Sequence, residues 1–184
     1  MTGITKGRGS RWTLLVWGGA AGLLALPAVA MRFTSEVNWT AGDFATMGVL
    51  LLGAAGAVEQ AVRLSGGLAY RAGACVAVAA SFLLVWINLA VGIVGAEDEP
   101  ANQLFAGVLA TALIGAVLAG FRPSGMARAM VATAIAQALV ALAVLAMGLG
   151  QILAATGLFM GLWLAAALLF ARAARKTGAE GGAG

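Results

Sequence analysis

Residues 72–95 read AGACVAVAASFLLVWINLAVGIVG, an apolar run without a single charged side chain. A bilayer core about 30 Å thick is crossed by roughly 20 apolar residues in helical form, so this run is long enough to span it. Working outward, five more stretches of similar length and character lie at 12–31, 43–62, 102–120, 129–147 and 152–171. Long runs of Ala, Leu, Val and Gly do not alternate as barrel strands do, and in lipid a helix satisfies its backbone groups within its own segment. The sequence therefore predicts an all-α fold: a polytopic transmembrane helical bundle of about six spans.

Composition agrees. Of 184 residues, 62% are hydrophobic and 10% charged, against about 45–50% and 25% in soluble domains. Short connections leave one transmembrane domain, 1–176, and a Gly/Ala-rich tail, 177–184, expected to be disordered and cytoplasmic. Cys75 is the one cysteine and lies within the third span, so no intrachain disulfide or paired-thiol motif exists, and there is no histidine. The commonest metal ligand and the commonest general base are both missing from the chain. Neither a phosphate-binding loop nor a zinc-helix signature is present, and no cofactor, metal site or catalytic residue is expected.

Charge sets the orientation. With the N-terminus inside, Lys6, Arg8, Arg11, Arg63, Arg71, Arg122, Arg128, Arg172, Arg175 and Lys176 fall on the cytoplasmic side and only Arg32 outside. That asymmetry follows the positive-inside rule and predicts cytoplasmic N- and C-termini. The net charge of +4 is thereby explained as topology, and nucleic acid is not an expected partner. A competing reading treats the first span, preceded by Lys6, Arg8 and Arg11 and ending in Pro27-Ala28-Val29-Ala30, as a cleaved signal peptide, which would leave five spans.

An offset of 59 residues superposes Gly48-Val49-Leu50 on Gly107-Val108-Leu109, Gly56-Ala57-Val58 on Gly115-Ala116-Val117, and Arg63, Ser65 and Gly66 on Arg122, Ser124 and Gly125. Spans two and three would then repeat spans four and five as a parallel pair of helical hairpins. Gly107, Thr111, Gly115 and Ala119 form a ladder of small side chains suited to close helix approach.

Polar residues within or beside the spans are the candidate functional groups. Glu36, Asn38 and Asp43 in the first outer loop, with Glu97, Asp98, Glu99 and Asn102 in the second, could offer oxygen ligands to a cation, or could cap helices and order loops. Glu59 is a carboxylate inside a span, with Arg63 four residues on, and reads either as an ion pair at the inner interface or as a proton or cation relay. Asn88, Thr133 and Gln137 suit interhelical hydrogen bonds or substrate contact. Trp12, Trp39, Trp86 and Trp163 read as interfacial anchors.

Three stretches occur together: Leu26-Pro27-Ala28-Val29-Ala30-Met31; Glu36-Val37-Asn38-Trp39-Thr40 followed by Asp43-Phe44; and 85–95, VWINLAVGIVG, leading to Glu97-Asp98 and Pro100-Ala101-Asn102. In that combination, from about Leu26 to Arg175, the chain resembles a family of small uncharacterised bacterial integral membrane proteins. It departs from the family pattern at Ala96 and Glu99, where Ser and Asn would be expected. The resemblance implies a bacterial inner-membrane protein and brings no activity with it.

Two functions remain open at this stage. One is a structural, accessory or sensing membrane component, working through contacts with the bilayer, with its own copies or with another membrane protein. The other is a small oligomeric channel or transporter with an acidic outer vestibule. An enzyme is not expected.

Overall fold

Every backbone N–H in a bilayer must find its partner inside the protein, and each apolar run does so as one helix. The computed structural model describes residues 7–64, 67–96, 98–149 and 152–181, the side chains of 7–11, 177 and 179–181 excepted. Among them are six long helices: α1 Gly7–Ala30, α2 Ala41–Leu64, α3 Leu68–Ala90, α4 Leu104–Leu118, α5 Pro123–Ala146 and α6 Leu153–Gly181. A single 3-10 turn, Pro100–Gln103, leads into α4. Counting that turn with α4, all six are long and apolar enough to cross a membrane, and the chain is an all-α multi-pass membrane protein.

The helix ends differ from those expected. The third apolar run continues to 95, but α3 stops at Ala90, because Gly92 and Gly95 take positive φ of 73° and 61°. That left-handed conformation is routine for glycine alone. At the other boundary α5 begins at Pro123, ahead of the expected 129. Proline at the first helical position needs no N–H partner, and Arg122 before it is extended, with φ −73° and ψ 139°. At the C-terminal end α6 runs on to Gly181. Extending an existing helix is far easier than nucleating one. Residues 182–184 lie outside the described part.

Two compact units are described in turn, Met1–Arg63 and Leu64–Gly184. The first holds α1 and α2. No described residue of α1 is fully buried, and Leu14, Leu15, Leu23, Leu26 and Val29 are exposed, as suits a lipid-facing surface. In α2 the buried positions Met47, Leu51 and Ala55 recur every four residues along one stripe, and the next position on that stripe is Glu59.

In the second unit α3 packs on α6, α6 on α5, and α5 on α4. Trp163, Phe105, Phe159, Phe170, Leu84, Met130, Ile152, Val108 and Val144 are all fully buried in it. Small residues set the close approaches: a Cβ added at Gly115 would lie 2.8 Å from the Ala129 Cβ, and one at Gly73 would lie 3.3 Å from Leu169 and Phe170. The small-residue ladder on α4 is thus used at its Gly115–Ala119 end, where a Cβ on Gly125 would meet Ala119 at 2.7 Å. A Cβ on Gly107 would meet nothing within 4 Å.

Of the positions that the 59-residue offset matches, Gly56 and Gly115 differ in their surroundings: a Cβ on Gly56 would meet nothing within 4 Å, whereas one on Gly115 would meet Ala129.

Candidate functional site

Glu59 is where the first unit concentrates its polar chemistry. Its Oε1 accepts from an Arg63 Nη at 2.8 Å and, at the long distance of 3.5 Å, from the Thr13 hydroxyl; its Oε2 accepts from the Trp17 indole N–H at 2.8 Å. The Glu59 side chain is 18% exposed and that of Arg63 70%. Spacing of i, i+4 puts Glu59 and Arg63 on one helical face, Glu first, the favourable order near a helix C-terminus. The sequence pointed to that pair. It did not point to Thr13 and Trp17, which stand one turn apart on α1 and join it to α2 through the carboxylate. The available signal was a tryptophan away from either end of the first span, since an indole N–H in lipid requires an acceptor. A groove of about 400 Å³ opens beside the pair, lined by Trp12, Thr13, Val16, Glu59, Val62 and Arg63.

Asp43 has a local task. Thr40 donates both its N–H and its hydroxyl to Asp43 Oδ2, each at 2.8 Å, and the Asp43 N–H donates back to the Thr40 Oγ1 at 3.3 Å. This is a reciprocal capping box, with Asp in the place of the usual Glu. Trp39, just before the cap, meets Phe44 edge to face with ring centroids 5.2 Å apart, the accompanying hydrophobic staple. Glu36 and Asn38 are exposed, and the Glu36 N–H donates to the Thr34 hydroxyl at 3.1 Å.

Asn102 is the centre of the 91–103 connection. Its Oδ1 accepts from the N–H groups of Ile93 at 3.0 Å and Val94 at 2.9 Å, and its Nδ2 donates to the carbonyls of Val94 at 3.2 Å and Ala96 at 2.8 Å. Asn88 donates from Nδ2 to the Asn102 carbonyl at 3.3 Å, tying the end of α3 to the same residue. A Cβ on Gly92 would lie 2.5 Å from the Ala96 carbonyl oxygen, so only glycine fits there. Asp98 is exposed and Glu99 half-buried, while Glu97 lies outside the described residues. Among the described residues no group of three His, Cys, Asp or Glu side chains could hold a metal ion.

Deep in the second unit Thr133 is wholly buried and donates to its own helix, at the Ala129 carbonyl 2.9 Å away. Gln137 and Trp163 are buried as well, and their Oε1 and Nε1 atoms have no hydrogen-bond partner. Trp163 is thus no interfacial anchor: it sits in the middle of α6 with no exposed surface. Tyr70, which the sequence reading passed over, donates its hydroxyl to the Phe121 carbonyl at 2.7 Å. Phe121 has a φ of 57°, a left-handed conformation in the tight turn between α4 and α5.

Comparison with protein-family models, with curated proteins and with solved structures finds no match for the chain.

Proposed function

We propose that the chain is a non-catalytic component of the bacterial inner membrane, with both termini in the cytoplasm, whose role is structural, accessory or sensing and is exerted through helix and loop contacts. One observation carries this reading: polar side chains at the span ends, and Glu59 inside α2, bond back to the protein itself. Asn102 spends its amide on the 93–96 backbone, Asp43 caps α2, and Glu59 ties α1 to α2. The middle of the second unit is filled by bulky aromatic and aliphatic side chains, and none of its buried described residues is charged. A conducting path needs a continuous polar lining, which those side chains do not supply.

The transport alternative keeps one observation in its favour. Gln137 lies nine residues before the end of α5 at Ala146, and Trp163 ten after the start of α6 at Leu153; each carries an unpartnered polar atom. Purified protein in liposomes separates the two readings. The accessory role predicts monovalent and divalent cation flux no greater than in protein-free liposomes; conduction abolished by Gln137→Leu would overturn it. Orientation is read in a Cys75→Ala background, where an impermeant thiol reagent applied to spheroplasts should label Gln103→Cys and spare Ser124→Cys. Labelling of Ser124→Cys from outside would reverse the topology.

A further inference from the structure

The α1–α2 groove combines an apolar wall with a cation held at its edge. Trp12, Val16 and Val62 line it alongside Thr13, Glu59 and Arg63. The bond to Glu59 takes one N–H of a guanidinium that carries several, and the Arg63 side chain remains 70% exposed. Both Glu59 oxygens already accept bonds from the protein. An incoming ligand therefore meets the guanidinium's free donors and a carboxylate whose charge is already paired. Glu59 acts here as the residue that holds Arg63 in place. In the sequence, Lys6, Arg8 and Arg11 stand just before Trp12. Trp12 is 39% exposed, as befits an indole at the headgroup level.

We propose that this groove binds an anionic glycerophospholipid, its phosphate on Arg63 and its glycerol and first acyl carbons along Trp12, Val16 and Val62. Charge and shape argue together. Basic pockets between helices at the cytoplasmic face suit acidic headgroups, and a planar guanidinium pairs with phosphate through directed N–H bonds. A small organic cation would find both Glu59 oxygens already bonded to the protein, and a soluble phosphate compound would leave the apolar wall uncovered. The cytoplasmic leaflet as the source of the lipid rests on the orientation proposed above; binding itself does not, and absence of ion flux neither supports nor weakens it.

The test is native mass spectrometry of the delipidated full-length protein, titrated in detergent with phosphatidylglycerol, phosphatidylcholine or glycerol 3-phosphate. Wild type should retain phosphatidylglycerol in preference to phosphatidylcholine. Arg63→Gln should weaken that retention by about tenfold, the scale of one lost charge-assisted contact. Val16→Trp, which fills the groove and leaves the Glu59–Arg63 pair in place, should do the same, and an unchanged thermal midpoint checks that it folds. Equal retention of the two lipids by wild type, or equal retention of phosphatidylglycerol by wild type and both variants, would overturn the proposal. Competition by glycerol 3-phosphate at the lipid's own concentration would overturn it in favour of a soluble phosphate ligand.

Discussion

Asn102→Ala is the substitution for which the structure gives the most definite expectation. It removes an acceptor from the N–H groups of Ile93 and Val94 and a donor from the carbonyls of Val94 and Ala96. Ile93 is half-buried and Ala96 exposed, so their freed groups can recover partners from water. Val94 is 1% exposed, and its N–H and carbonyl are both left unpaired. An unpaired buried backbone group costs about 1–3 kcal/mol, so two of them, partly relaxed, put the loss at about 2–4 kcal/mol. In a protein of this size that corresponds to a fall of about 5–15 °C in the thermal midpoint. The assay is tryptophan fluorescence of the purified protein during heating in mild detergent. Asn102→Asp should fall as well, because a carboxylate oxygen would face the Val94 and Ala96 carbonyls where a donor now stands. A midpoint unchanged in Asn102→Ala would refute the reasoning, since it would mean that the 91–96 backbone is ordered without the amide.

Two further outcomes concern helix packing and the turn after α4. Gly115→Leu should lower stability by about 1–3 kcal/mol, the usual cost of overpacking, because even its Cβ would lie 2.8 Å from Ala129; Gly56→Leu, with open space around it, should leave the midpoint unchanged, and equal losses in the two would show that the space at Gly56 does not decide the outcome. Tyr70→Phe should cost about 1 kcal/mol through the lost hydrogen bond to the Phe121 carbonyl, read as a lower melting midpoint; no change would show that this turn holds its left-handed residue unaided.

The spans were legible because nothing subtle defines them: a run of some 20 apolar residues has few other fates. Their ends were less so. Val91, Ile93 and Val94 are as apolar as the helix before them, and hydropathy cannot register that Gly92 turns left-handed or that an asparagine eight residues beyond Val94 gathers the loop. Which small-residue positions pack closely was not legible either. In lipid, apolar surface does not drive helices together, so association depends on local shape. The sequence shows the same small-residue spacing at Gly18 and Gly22, which have no neighbour within 4 Å of an added Cβ, as at Gly115, which has one at 2.8 Å. Trp163 shows the same limit for aromatics: an indole suits an interface and a packed core alike, and only its depth in α6 tells which.

The polar candidates divide by a related logic. Two of the three stretches singled out in the sequence, 36–44 and 85–102, both lie where a helix begins or ends. In the first, Thr40 and Asp43 cap α2 while Trp39 and Phe44 staple it; in the second, Asn88, Gly92 and Asn102 close the connection from α3 to α4. Ends of membrane helices are where backbone groups lack intrahelical partners, so specific polar residues are needed there whatever the protein does. The polar and aromatic residues named at these positions are accounted for by the ordering of helix ends. The Glu59 cluster is different in kind. It sits inside a helix whose backbone is already satisfied, so capping does not require it. A carboxylate there draws Trp17, Thr13 and Arg63 together beside an open groove. Polar groups that helix termini do not demand are the ones left to answer to function, and on that ground the α1–α2 groove, rather than the acidic loops, is where a ligand should first be sought.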